Sequence, residues 1–227
     1  MCSSDLLTAV TNTSLLCNMS NAGITDSAMM NDFITVGSAQ VSTVTKKYGS
    51  GSLYFNGSTS NLYTVTKPSL IFGTSTFTIE MWINSGANGT GTRAMGNGAN
   101  GSWASGNWVF TTSSGYNSNK FIFDCYNYAA SGDMLVSTTA SNDSAWHHIT
   151  IVRNGNTWTM YVDGNSQSTV TSSVSLDNGS SWPLSIGWDG ISGDGYWAGY
   201  MDDLRITKGF ARYTANFTPP TSQFLTQ

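Results

Sequence analysis

Apolar residues in this chain alternate with polar ones or gather in short runs, and the runs are separated by clusters of Gly, Asn and Ser. No stretch of useful length carries the three- and four-residue spacing of an amphipathic helix. The pattern predicts strands over 14–18, 33–36, 52–55, 62–65, 77–83 and 108–111. It predicts further strands over 121–126, 134–137, 147–153, 157–162, 184–186 and 198–206. About a dozen short strands without helices specify a sandwich or a barrel. Asn154-Gly155 sits between two alternating runs, and that pair tolerates the positive φ of a tight hairpin. In the second run Trp158, Met160 and Val162 share one face, and Thr157, Thr159 and Tyr161 share the other. By the same alternation His147 and His148 point to opposite faces and do not grip one ion together. They are the only 2 histidines, so a histidine-only metal site is unavailable and both are expected to be structural.

Composition sharpens the fold class. Charged residues are 10% of the 227, against about a quarter in an average soluble domain, while hydrophobic residues reach 39% and Gly numbers 24. A packed, turn-rich all-β domain fits that balance. A net charge of -4 with 9 Lys plus Arg scattered along the chain gives no footprint for a nucleic-acid backbone. Cys2, Cys17 and Cys125 have no Cys-x-x-Cys spacing, so free, mostly buried thiols are expected. MCSSDLLTAVTNTSLL lacks a basic region and a sustained apolar run, and nothing approaches the ~18 apolar residues of a membrane span. The expectation is no signal peptide and no membrane insertion, so that work outside a cell would follow release by lysis or another route.

The segments 86–107 and 177–196 are Gly-rich with embedded tryptophans, and they read as long loops. No composition break marks a linker. The tail KGFARYTANFTPPTSQFLTQ contains Pro219-Pro220, which stops any strand there.

The ordered set LLCNMSN, ITDSAMMNDFITVGSAQ, KKYGSGSLYFNGSTSNLYTV, FTIEMWIN, WHHITIVRNGNTWTMYVDG, LSIGWDG and GYMDDLRITKG resembles the concanavalin A-like lectin/glucanase superfamily, in particular its laminin-G-like jelly-roll modules. KGFARYTANFTPP is similar to the ending of such modules in tailed-phage virion proteins. The resemblance implies an all-β, two-sheet antiparallel jelly-roll sandwich over 1–209, with a tail over 210–227 packed on it or extending from it. It also implies a ligand site on a concave face or at the loop rim.

Some members of the superfamily are glucanases whose paired glutamates lie a few residues apart on one strand. This chain has a single glutamate, Glu80 in FTIEMW, and Asp202 and Asp203, adjacent on a predicted strand, are expected to face opposite ways. Catalysis is therefore not expected. A sugar site needs flat aromatic faces and a few directed polar groups. Trp103, Trp182, Trp188 and Tyr196 are the stacking candidates, and Asn100, Asn107, Asp189 and Asp194 the hydroxyl partners. Trp82, Trp146, Trp158 and Trp197 are expected to be packed.

Calcium is the cofactor the resemblance implies, with Asp26 of ITDS joined to Asp202 or Asp203 of MDDLRI. FNGSTSNLY places Asn56 and Asn61 where the family has Asp, which weakens the local charge, and Asp203 has the alternative of pairing with Arg205. The expected function is a non-catalytic module that binds a glycan or host-surface polysaccharide and is carried on a phage virion. It would contact other virion subunits and be displayed as a homo-oligomer or in many copies, without nucleic acid. The alternatives are a structural or decoration module of a virion and, most distantly, a glycoside hydrolase.

Overall fold

The structure is a computed structural model, and it describes residues 12–19, 23–28, 30–85, 92–98, 103–113, 117–126, 128, 133–177, 183–190 and 195–225. Its strands are β1 (Thr13–Cys17), β2 (Phe33–Val36), β3 (Gln40–Ser42), β4 (Ser52–Asn56), β5 (Asn61–Thr64), β6 (Phe77–Ser85), β7 (Arg93–Gly96) and β8 (Trp108–Thr111). They continue with β9 (Lys120–Cys125), β10 (Leu135–Ala140), β11 (His147–Asn154), β12 (Thr157–Val162), β13 (Asn165–Thr171), β14 (Ser185–Ile186) and β15 (Ala198–Lys208). One 3-10 turn, Pro68–Leu70, is the only helical element among the described residues.

The strands form two antiparallel sheets. An 8-stranded sheet runs β13-β12-β11-β6-β15-β4-β3, with β1 also paired to β15, and a 7-stranded sheet runs β10-β9-β8-β7-β14-β5-β2. Alternate side chains from both sheets meet between them. Trp158 of β12 packs edge-on to Phe77 at 5.5 Å and reaches Phe123 of the other sheet at 6.0 Å, and Trp108 stacks on Phe123 at 5.6 Å. These rings are buried and belong to one continuous core. The sandwich expected from the apolar pattern is therefore present.

Three strands escape that pattern. β13 reads NSQSTVT and β3 only QVS, both edge strands with little apolar alternation, and β7 reads RAMG inside the Gly-rich stretch expected to be a loop. The hairpin between β11 and β12 is present one residue further along: Asn154 pairs with Thr157, so Gly155 and Asn156 form the turn. Gly155 supplies the positive φ of 61° at the first turn position, the II′ arrangement.

The two histidines diverge as alternation requires. His147 Nδ1 lies 2.7 Å from Asp163 Oδ2 and its Nε2 lies 3.0 Å from Asp143 Oδ2. The bond to Asp163, helped by Asp143, holds the His147 pKa above its ordinary value against the opposing effect of burial. His148 lies on the outer face, against Trp82 at 5.1 Å.

Candidate functional site

The outer face of the 8-stranded sheet is covered by the chain's own tail. Thr78 Oγ1 donates to Phe210 O and accepts from Arg212 N, and Tyr213 OH donates to Glu80 Oε2 at 2.9 Å. Tyr213 stacks on Phe217 at 3.6 Å, and Phe217 and Phe224 both press edge-on against His148. The Arg205 guanidinium lies over Phe224 at 4.2 Å and bonds Glu80 Oε1 at 2.8 Å. Burial pushes the Glu80 carboxyl up, but its bonds to His148 and Arg205 outweigh that and hold it below the usual range. The one glutamate of the chain is thus fully buried and committed to ion pairing, with no access for a substrate.

Asp202 and Asp203 correct the sequence reading. Between Asp202, opposite Trp82, and Arg205, opposite Glu80, β15 carries an extra residue, and Asp203 adopts a positive φ of 47°. Met201, Leu204 and Ile206 all enter the core, so this bulge turns both aspartates toward the covered face. Asp202 Oδ2 accepts from Lys47 N and Tyr48 N. Asp203 accepts from Asn18 Nδ2 and Phe224 N. Burial pushes Asp202 up to about 6, and burial together with the Asp202 charge pushes Asp203 up to about 7. Arg205 takes Glu80 as its ion-pair partner, so the alternative of an Asp203–Arg205 pair gives way to the bulge geometry.

Asp26 lies elsewhere and is saturated. Its two oxygens accept from Leu16 N, Ala28 N, Met30 N, Asn31 N and Asn31 Nδ2, at 2.7 to 3.3 Å. A cation would have to displace those donors. Among the described residues no group of three His, Cys, Asp or Glu side chains is placed to hold a metal. The expected calcium set of Asp26 with Asp202 or Asp203 does not fit this geometry, because these carboxylates cap backbone N–H groups.

The outer face of the 7-stranded sheet is built differently. Its outward row runs Ile34, Tyr63, Ser185, Gly96, Val109 and Asp124 across successive strands, as the pairing registers require. Gly96 carries no side chain, and there residues 187–190 fold back over the sheet: a Cβ on Gly96 would meet Asp189 Cα at 3.1 Å and Trp108 O at 2.8 Å. Gly98 N donates to Asp189 O at 2.8 Å, which pins the segment down. Arg93 N donates to Gly195 O at 2.7 Å, drawing Tyr196 alongside, and Trp188 stacks on Tyr196 at 5.5 Å with 13° between planes. Both rings are half-buried. Arg93 Nε bonds Asp189 Oδ2 at 2.7 Å with its side chain 28% exposed, so a guanidinium stands beside the aromatic pair.

A second aromatic pair joins Trp103, 37% exposed, to Tyr126 at 6.2 Å. Asp124, half-buried on β9, has its carboxyl pushed up to about 6, first by burial and then by Asp133.

The structure therefore brings Trp188 and Tyr196 together and leaves Trp103 exposed. Two expected hydroxyl partners have other work. Asn107 is fully buried, its Oδ1 accepting from Ala104 N and its Nδ2 donating to Asn97 O, so it ties residues 104–107 to the end of β7 and presents nothing to a ligand. Asp189 is 3% exposed and orients Arg93. Trp182, Asn100 and Asp194 lie outside the described residues. Arg93, Tyr126 and Asp124 are absent from the sequence-based set. Only Asp124 had a usable signal there, as the polar residue opposite Phe121, Phe123 and Cys125 in an alternating strand.

Residues 56–210 match a laminin-G family described under the concanavalin A-like lectin/glucanases superfamily. The chain belongs to that superfamily. No curated protein matches it in sequence. Among solved structures it is similar to the binding domain of Paraclostridial Mosquitocidal Protein 1, with a TM-score of 0.67 at 17% identity over 87% of this chain and 49% of that one. It is also similar to domain 4 of AbnA, a GH43 extracellular arabinanase from Geobacillus stearothermophilus in complex with arabinotriose, with a TM-score of 0.58 at 14% identity over 87% of this chain and 93% of that domain. A third is the binding domain of Botulinum neurotoxin DC in complex with rat synaptotagmin II, with a TM-score of 0.60 at 13% identity over 86% and 48%. The chain spans about half the length of the two toxin domains, at 49% and 48%. At these identities the likeness is one of fold. No helix among the described residues is long and apolar enough to cross a membrane.

Proposed function

We propose that this chain is a non-catalytic carbohydrate-binding module that reads a glycan or host-surface polysaccharide on the outer face of its 7-stranded sheet. The observation that carries the reading is the half-exposed Trp188–Tyr196 stack, with Arg93 beside it, on the sandwich face that the tail leaves uncovered. A pyranose presents an apolar C–H face to such rings, and the guanidinium supplies directed donors to its hydroxyls. Trp103 and Tyr126 offer a further platform for a longer chain. Catalysis finds no support: Glu80 is enclosed, Asp203 lies under the tail, and Asp202 is buried and capped by Lys47 N and Tyr48 N.

The setting we propose is a virion surface, on the strength of the tail sequence KGFARYTANFTPP. Display there beside other virion subunits, as a homo-oligomer or in many copies, would turn weak single-site affinity into firm attachment through avidity.

A glycan array probed with the protein displayed multivalently tests the reading. Binding that is lost in Trp188→Ala and Tyr196→Ala, with folding intact, is the expected result. Absence of any glycan signal, or binding indifferent to both substitutions, overturns it.

A further inference from the structure

β2 ends the 7-stranded sheet, pairing with β5 on one side and with no other strand among the described residues. In an antiparallel ladder every second residue aims its N–H and C=O away from its partner, so β2 presents rungs that no described residue fills. Natural sheet edges are blunted by Lys, Pro, bulges or inward charges. β2 reads FITV and pairs with β5 in unbroken register, without any of these. Ile34 and Val36 are 40% and 38% exposed on the outer face, beside Tyr63 and Val65, the latter 44% exposed. An apolar strip next to a bare sheet edge is the pattern of an interaction surface.

We propose that a second copy of this chain occupies that edge, its β2 pairing antiparallel with the first about a two-fold axis through Thr35. The occupant follows from self-complementarity, because a two-fold contact sets one patch against itself. With Thr35 facing its mate, Ile34 faces Val36 of the second copy on the same side of the sheet, and the pairing ends there, because the chain turns away at Gly37, whose φ is 66°. Asp32 is the one charge in the stretch NDFITVGSAQV, so two chains of net charge -4 meet here without opposed carboxylates. Moving the axis to Ile34 sets Asp32 against Val36, and moving it to Val36 sets Ile34 against Ser38. Only the Thr35 axis gives both Ile34 and Val36 an apolar partner and keeps Asp32 clear of them. The joined sheets would carry both open faces side by side, a consequence that rests on the carbohydrate-binding reading, whereas the pairing itself does not.

Sedimentation equilibrium of the full chain at micromolar concentration is expected to give twice the chain mass of 24.3 kDa. Thr35→Lys, at an exposed position, sets two like charges opposite each other and is expected to return the mass to one chain. Thr171→Lys, exposed on the edge strand β13 of the other sheet, is expected to leave the dimer intact. Oxidised Thr35→Cys is expected to give a disulfide-linked dimer, since directly opposed residues lie within disulfide reach, and Thr171→Cys is expected not to. A monomeric native chain overturns the proposal, as does a dimer that withstands folded Thr35→Lys or lacks the Thr35→Cys cross-link. Monovalent glycan binding by the Thr35→Lys monomer reports separately on the carbohydrate site.

Discussion

The two outer faces of this sandwich are made from similar strands and end in opposite states. On the 8-stranded sheet, Glu80, His148, Asp202, Asp203 and Arg205 stand where outward side chains ordinarily meet water; Tyr213, Phe217 and Phe224 of the tail cover all of them but Asp202, which Lys47 and Tyr48 cap. On the 7-stranded sheet the outward row is small or apolar apart from Tyr63 and Asp124, and the covering segment 187–190 leaves two aromatic rings and a guanidinium partly in solvent. The richest collection of titratable groups in the described chain is thus a fastening for the tail. The plainer face carries the proposed binding surface. Reactive side chains alone point to the face that the tail covers.

The comparison can be broken most forcefully at the fastening. Glu80→Ala removes the acceptor for Arg205 and Tyr213 and strands buried cationic groups, which costs about 3–5 kcal/mol; chemical denaturation of the variant measures it, and glycan binding by the fraction still folded is expected to persist. On the open face Trp188→Ala is expected to weaken glycan binding by about 2 kcal/mol, read by titration calorimetry, with little change in stability. A loss of stability comparable to that of Glu80→Ala would mean that the ring belongs to the core.

A smaller effect concerns pH. The Asp203 carboxyl is raised to about 7 by burial and by Asp202. A raised pKa in the fold means that the group's stabilising contribution is complete below its unfolded value and is lost as pH rises through about 7. Asp203→Asn is expected to flatten the stability–pH profile across that window. Asparagine tolerates the positive φ, and turning Asn18 over to accept from the new amide gives up the bond that Asn18 Nδ2 donates to Phe224 O, a loss independent of pH that leaves the slope as the readout. An unchanged slope would place the titrating group elsewhere. The smallest effect is expected from metal removal: with Asp26 saturated by N–H donors, a chelator should leave the melting temperature unchanged, and a fall would show that an ion stabilises the fold.

Much of the architecture was legible in the sequence because burial on one face imposes a period of two. Phe121, Phe123 and Cys125 alternate with Ile122 and Asp124, and Trp158, Met160 and Val162 with Thr159 and Tyr161, and both sets enter the core as that period requires. β13 and β3 were hidden because an edge strand needs few apolar residues. β7 was hidden because Gly96 is present to let Asp189 close over it, a tertiary demand with no local trace.

The site was legible only in part. Trp188 and Tyr196 stood out as aromatics in Gly-rich surroundings, whereas the burial of Asn107 and Asp189 depends on partners, Asn97 and Arg93, that composition does not connect to them. The bulge at Asp203 shows the limit of counting along a strand: one extra residue carried two aspartates to the same side.

A ligand bound as proposed is held on the open sheet while the tail stays closed over the other. Amide hydrogen exchange with and without a glycan that scores on the array tests it most directly. New protection over 93–98, 187–190 and 195–197, with exchange over 205–225 unaltered, is the predicted result. Protection confined to 46–48, 147–148 and 213–224 would contradict it.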